Sequence, residues 1–219
     1  MPPSLLTLVL RISASLGFAL TLFSATADAN TSQRLRGLIA QELQLESTGN
    51  DAAAAAVCMQ ILAIAPRDYR TMNTLAGLEG KAGHGREEIR WASAALKVNP
   101  AFVPAMINLG NGYVLAGDGD AARAQYLLVV RIAPRAPLAY EALGVLADQQ
   151  LDFKSAVTWY QKALAINPRF EDALFNLAAD YGNLGRLTEA RATIHQLLLL
   201  EPKQADVQSL SAALDRAVR

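Results

Sequence analysis

One cysteine, two histidines and no surplus charge of either sign narrow the options for this 219-residue chain. Cys58 has no second thiol, so no internal disulfide staples the fold and the cysteine does not report on redox compartment. Its surroundings in the sequence read as those of a small buried hydrophobe. His84 lies in Gly83-His84-Gly85, and His195 sits on an apolar helical stretch. Neither has a His, Cys or carboxylate at metal-ligand spacing, so no metal site is expected. Lys plus Arg equals Asp plus Glu at 20 each, which removes the basic surplus expected of a nucleic-acid binder. No catalytic constellation stands out. Glu87-Glu88 and Glu171-Asp172 are adjacent carboxylates near helix starts, where negative charge complements the helix dipole. Gly110-Asn111-Gly112 lies inside a helical pattern rather than between a strand and a helix, so it fails the context of a phosphate loop. No cofactor is implied.

The first 34 residues stand apart from the rest. Ile12 to Ala27 is a 16-residue uncharged stretch after Arg11, ending in Ala25-Thr26-Ala27 and Ala27-Asp28-Ala29. Those small-x-small triplets are of the kind signal peptidase accepts, and the stretch is short for a membrane helix of about 20 apolar residues. Residues 1–29 are therefore expected to be a signal peptide, or alternatively an uncleaved membrane anchor, followed by a linker at 30–34. No cysteine follows the hydrophobic stretch to carry a lipid.

What the remainder does have is a beat. Pro66, Pro100, Pro134, Pro168 and Pro202 are each 34 residues apart, although only 9 residues of the chain are proline. With the periodic proline at position 32, the units are 35–68, 69–102, 103–136, 137–170 and 171–204, and other positions fall into register. Position 8 reads Glu42, Ala76, Gly110, Gly144, Ala178. Position 20 reads Ala54, Glu88, Ala122, Ala156, Ala190. Position 24 reads Cys58, Ala92, Tyr126, Tyr160, Ile194. Position 15 is Gly49, Gly83, Gly117 and Gly185, with Leu151 the exception.

Helical apolar spacing on both sides of position 15 predicts two helices of about 12–14 residues per unit. Glycine at position 15 lets the chain turn back through φ > 0. Small residues at positions 8 and 20 let the paired helices approach. The proline ends the second helix, because it lacks a donor and restricts the residue before it. After Pro202, Val207, Leu210, Leu214 and Val218 form one apolar stripe, predicting a helix over 205–219 that caps the last unit.

The pattern resembles the tetratricopeptide-repeat (TPR) family over residues 35–204, most closely in the last three units. In the second unit Glu79 and Glu88 replace an aromatic and a small residue. In the first, Gln41 and Glu42 replace the apolar–small pair. The resemblance implies an all-α fold, a right-handed α-α superhelix of antiparallel helix pairs, whose first helices line a concave groove through positions 2, 5, 6, 9, 12 and 13. Carried over, the partner-binding groove would hold Arg70, Asn73, Lys81, Asn108, Asn111, Glu141, Asp148, Phe175, Asn176 and Asn183, with Ile107 and Leu115 as apolar neighbours. Asn108 and Asn176 share position 6, so an asparagine row for a peptide backbone is expected, interrupted by Thr74 and Ala142. The chaperone-type carboxylate clamp is not evident, since position 5 carries no base.

Together these features point to a non-enzymatic protein–protein interaction scaffold, exported to the periplasm or cell envelope. It would bind a peptide segment or helix of another protein, as in the assembly of a pilus, secretion channel or other envelope complex. The alternatives are a self-associating structural subunit and an accessory subunit of an enzyme. Membrane contact is expected only if the N-terminal segment stays uncleaved.

Overall fold

In the computed structural model, residues 29–200 and 204–217 are described. The leader-like stretch up to residue 28, Pro202 and Val218 lie outside them. The described residues form eleven helices and no strand. They are α1 (29–47), α2 (Asp51–Ile64), α3 (Tyr69–Lys81), α4 (Gly85–Val98), α5 (Val103–Leu115), α6 (Gly119–Ile132), α7 (Pro137–Gln149), α8 (Phe153–Ile166), α9 (Glu171–Asn183), α10 (Leu187–Leu200) and α11 (Ala205–Ala217). Each helix packs on its neighbours in sequence, and α3 on α5, α7 on α9 and α9 on α11 as well. That is the contact pattern of stacked helix pairs in a solenoid.

The 34-residue period is partitioned alike in successive units: a first helix of 13 residues, a three-residue turn, a second helix of 14, then a four-residue connection. In the turn after each first helix, a residue with φ near +70° closes a Schellman motif. At Gly83, for example, His84 N–H donates to Glu79 C=O at 2.9 Å, and Gly83 N–H to Gly80 C=O at 2.9 Å. Leu151 adopts the same conformation (φ 58°) without being glycine, and the same two bonds form, from Leu151 to Asp148 and from Asp152 to Ala147. The other end of each unit is set by proline. Ala65, Asn99, Ala133 and Asn167, each preceding a periodic proline, leave helical geometry, with φ between −122° and −134° and ψ between 70° and 93°. Second helices then restart on side-chain caps: Asp118 accepts from Ala121 N–H at 3.0 Å, and Asp152 from Ser155 N–H at 3.2 Å.

Inside the units, small and large residues are matched across the helix pair. A Cβ on Gly110 would collide with the Tyr126 ring, and one on Gly144 with the Tyr160 ring; both tyrosines are buried. The first unit inverts the exchange. Glu42 at position 8 is buried and fills the space that Cys58 leaves at position 24, with the thiol donating to Glu42 Oε1 at 3.9 Å. Burial and the neighbouring Glu42 push the Cys58 thiol up to about 12, so it stays protonated and inert.

One expectation needs correction, and one residue needs placing. Residues 30–34 are not a linker but part of α1. No proline or glycine interrupts 29–36, so nothing stops the helix from running back beyond its first packed residue, Leu35. Glu88 does lie in the first turn of α4, where an acid complements the helix dipole, but its side chain is buried. It is 2% exposed and points inward from α4.

At the C-terminal end, α11 lays Val207 and Leu214 onto a core that includes Leu174, Leu177, Tyr181 and Leu197. Each such aliphatic side chain contributes about 1.5–3 kcal/mol when fully buried.

Candidate functional site

A concavity runs across the first helices α3, α5 and α7, with Glu88 of α4 and Tyr126 of α6 among its lining residues. Its volume is about 530 Å³, and its walls include Gly77, Asn108, Leu115, Glu141, Val145 and Gln149. First helices supply the walls because the second helices stack behind them. Position 20 of the second helix is a fully buried alanine in the other units, Ala54, Ala122, Ala156 and Ala190. In the second unit Glu88 occupies position 20, and Gly80 on α3 makes room for it: a Cβ at Gly80 would sit 2.7 Å from the Glu88 carboxylate. Glu88 is thus buried against Gly80 where α3 and α4 meet, and it lines the cleft from there.

The cleft gathers four of the ten sequence-predicted groove residues: Lys81, Asn108, Asn111 and Glu141. Asn108 does not extend toward Asn176. Its Nδ2 donates to Asn73 Oδ1 at 3.0 Å and to Asn73 C=O at 3.3 Å, which ties α5 to α3. Asn111 accepts from the Tyr126 hydroxyl at 2.7 Å. Lys81, at the rim, is ion-paired with Asp51 at 3.3 Å. Glu141 also lines a second cleft of about 400 Å³ with Phe175, Asn176, Glu171, Asp172 and Asp206. Arg70, Asp148 and Asn183 line neither cleft. Arg70 lies exposed at 5.8 Å from the Tyr69 ring, Asn183 is exposed at the end of α9, and Asp148 sits beside the buried Asp180. The expected asparagine row is therefore two separate groups, one in each cleft.

The electrostatics are those of desolvated acids. Burial pushes the Glu88 carboxyl up to about 7, and burial together with nearby Asp172 does the same for Glu141. Glu88 Oε2 makes no hydrogen bond. Asp180, fully buried, is also raised to about 7 by burial and by Asp148; Asp148 and Asn183 stand beside it, but outside hydrogen-bonding geometry. The Tyr126 hydroxyl is pushed upward by burial and by the Glu88 and Glu141 charges.

Sequence reasoning missed Glu88, Tyr126 and Asp180 as polar groups of the interior. The register carried a signal for two of them. Glu88 stands where the other units have Ala54, Ala122, Ala156 and Ala190. Asp180 stands where other units have Leu78, Gly112 and Leu146.

Comparison with known proteins agrees with this architecture. The tetratricopeptide-repeat family matches residues 149–214. Anaphase-promoting complex subunit 6 of Arabidopsis thaliana is 26% identical over 162 residues, covering 56% of this chain and 30% of that protein. Cellulose synthase operon protein C of Pseudomonas fluorescens is 27% identical over 192 residues, covering 83% of this chain and 15% of that protein. The chain thus spans less than a third of either curated relative. Among solved structures, a thermophilic TPR protein of Thermus thermophilus superposes with a TM-score of 0.73 at 21% identity, covering 82% of this chain and 98% of that one. The pilF protein of Pseudomonas aeruginosa gives 0.71 at 16% identity, covering 86% of each. At these identities the structural likeness establishes the fold.

Proposed function

Because this chain is a tetratricopeptide-repeat protein, we propose that it is a non-enzymatic scaffold that holds a segment of another protein in its concave groove. The observation that carries this reading is the open cleft across α3, α5 and α7, lined by apolar, amide and other polar side chains. Such a surface suits a chain segment: Leu115 and Val145 offer apolar contact, and Asn108 and Gln149 offer amides to a peptide backbone. The setting we propose is the cell envelope. The leader-like residues 1–29 support it, as do the likenesses to a cellulose synthase operon protein and to pilF.

The test is partner capture with the tagged full chain from its native cells, read by mass spectrometry. Leu115→Arg changes an exposed cleft residue, and Leu127→Arg changes an exposed residue on the outer side of α6. Loss of a partner with Leu115→Arg but not with Leu127→Arg is expected. Equal recovery by both variants would contradict the groove assignment.

A further inference from the structure

The charge balance of the whole chain hides an imbalance at the groove. Two carboxylates, Glu88 and Glu141, line the main cleft, and the one base among its lining residues, Lys81, is already paired with Asp51 at 3.3 Å. The adjoining cleft continues in the same sign, with Glu141, Glu171, Asp172 and Asp206 and no Lys or Arg among its lining residues. An acidic surface alone would signify little. Glu88 is different in kind: it is 2% exposed, lines the cleft, and leaves Oε2 with no hydrogen-bond donor. Buried carboxylate oxygens ordinarily have partners, and one left without them is costly. Gly80 keeps space for the carboxylate where any side chain would displace it. A donor from outside the chain would satisfy this oxygen, and the acidic lining of the cleft favours a cationic one.

Resting on the groove reading above, we propose that the α3–α5–α7 cleft takes a lysine or arginine side chain from an extended basic segment of the partner protein, paired to Glu88 and Glu141. The ammonium or guanidinium would supply the donor that Glu88 Oε2 lacks. The alkyl stem would lie along Leu115 and Val145, which line the same cleft. Flanking positive residues would meet the Glu171 and Asp172 stretch of the groove.

The experiment is fluorescence anisotropy on the full chain at pH 8, where both carboxyls are ionised, and at about 0.15 M salt, which screens diffuse attraction. The probes are labelled twelve-residue peptides alternating Ala with Lys, Ser or Glu. The Lys peptide is expected to bind and the Glu peptide not to. Glu88→Gln and Glu141→Gln should each weaken the Lys peptide by roughly tenfold or more, as expected when one partner of a desolvated charge pair is removed. Glu87→Gln, an equal change of charge at an exposed neighbour, should leave affinity within about twofold. Helical circular dichroism and melting of each variant confirm that the array is intact.

Equal binding of the Lys peptide by wild type, Glu88→Gln and Glu141→Gln overturns the proposal, as does absence of Lys-peptide binding up to about 1 mM. If the Ser peptide binds as well as the Lys peptide and Leu115→Arg abolishes both, the groove reading stands and the cation pocket falls.

Discussion

Glu88 is the residue whose energetics depart furthest from its apparent role. Its carboxyl is raised to about 7 in the folded chain by burial, against an ordinary value of 4.5. For an acid shifted upward, the folded state holds the proton more tightly than the unfolded state. The stability it contributes is full below about 4.5 and is lost as pH rises through 7. Replacing it with the neutral isostere should thus matter only at high pH. Glu88→Gln is expected to leave thermal stability near wild type at pH 4 and to raise it at pH 8, by on the order of 1–3 kcal/mol. Urea melts at the two pH values check this; a variant less stable than wild type at pH 8 would show that Glu88 has a partner in the folded chain.

A second residue-scale case is Leu151, 74% exposed and left-handed at φ 58°. It forfeits no packing when changed, and the strain of a side chain in that region exceeds the extra entropy of glycine. Leu151→Gly should stabilise by about 0.5–1 kcal/mol, measured by the denaturant midpoint.

At the scale of helices and their pairs, sequence and structure agree closely because the local signals are strong and repeated. Pro100 and Pro168 end α4 and α8, Asp118 and Asp152 cap α6 and α8, and Gly83 and Gly117 turn the chain back. Each of these acts over a few residues, so each can be read from its own neighbourhood. The pairing of side chains across helices is less legible, because it depends on volumes sixteen residues apart. Gly144 and Tyr160 read separately as a small residue and an aromatic; only the fold shows that the ring occupies the missing Cβ. The same holds for Gly80 and Glu88: the register marks an acid at a small-residue position, and only the fold shows that it is buried against the glycine. The expected linker at 30–34 failed for a simpler reason: without a breaker, polar residues continue a helix as readily as they form a loop.

The volume pairing gives a direct test. Gly144→Ala is expected to destabilise by about 1–3 kcal/mol through overpacking against Tyr160. Adding Tyr160→Ile recreates the pair that the fifth unit uses, Ala178 with Ile194, and should recover part of that loss. Additive losses in the double variant, read from a double-mutant cycle, would refute the coupling.

The described residues form one stack, and the proposed binding face is built from residues other than those that set the repeat. The periodic prolines, turns and alanines build one unit repeatedly and say nothing of a partner. One departure from the repeat, Glu88, lines the groove, and with Glu141, Glu171, Asp172 and Asp206 it gives that face a sign of charge that the net composition conceals. Of the ten residues expected at the groove, Lys81, Asn108, Asn111 and Glu141 line one cleft, as their shared register allows. The asparagine row could not be placed that way, because the bond from Asn108 to Asn73 depends on how neighbouring first helices are offset, which no spacing within a unit encodes.

The claim that this concave face receives another protein is tested most directly by site-specific photo-crosslinking in the native cells. A benzophenone amino acid is placed at Leu115 or Gln149 in the cleft, or at Leu127 on the outer side of α6. A discrete adduct with one partner from both cleft positions, and none from Leu127, is the predicted result. Adducts from Leu127 alone, or none from the cleft positions, would contradict it.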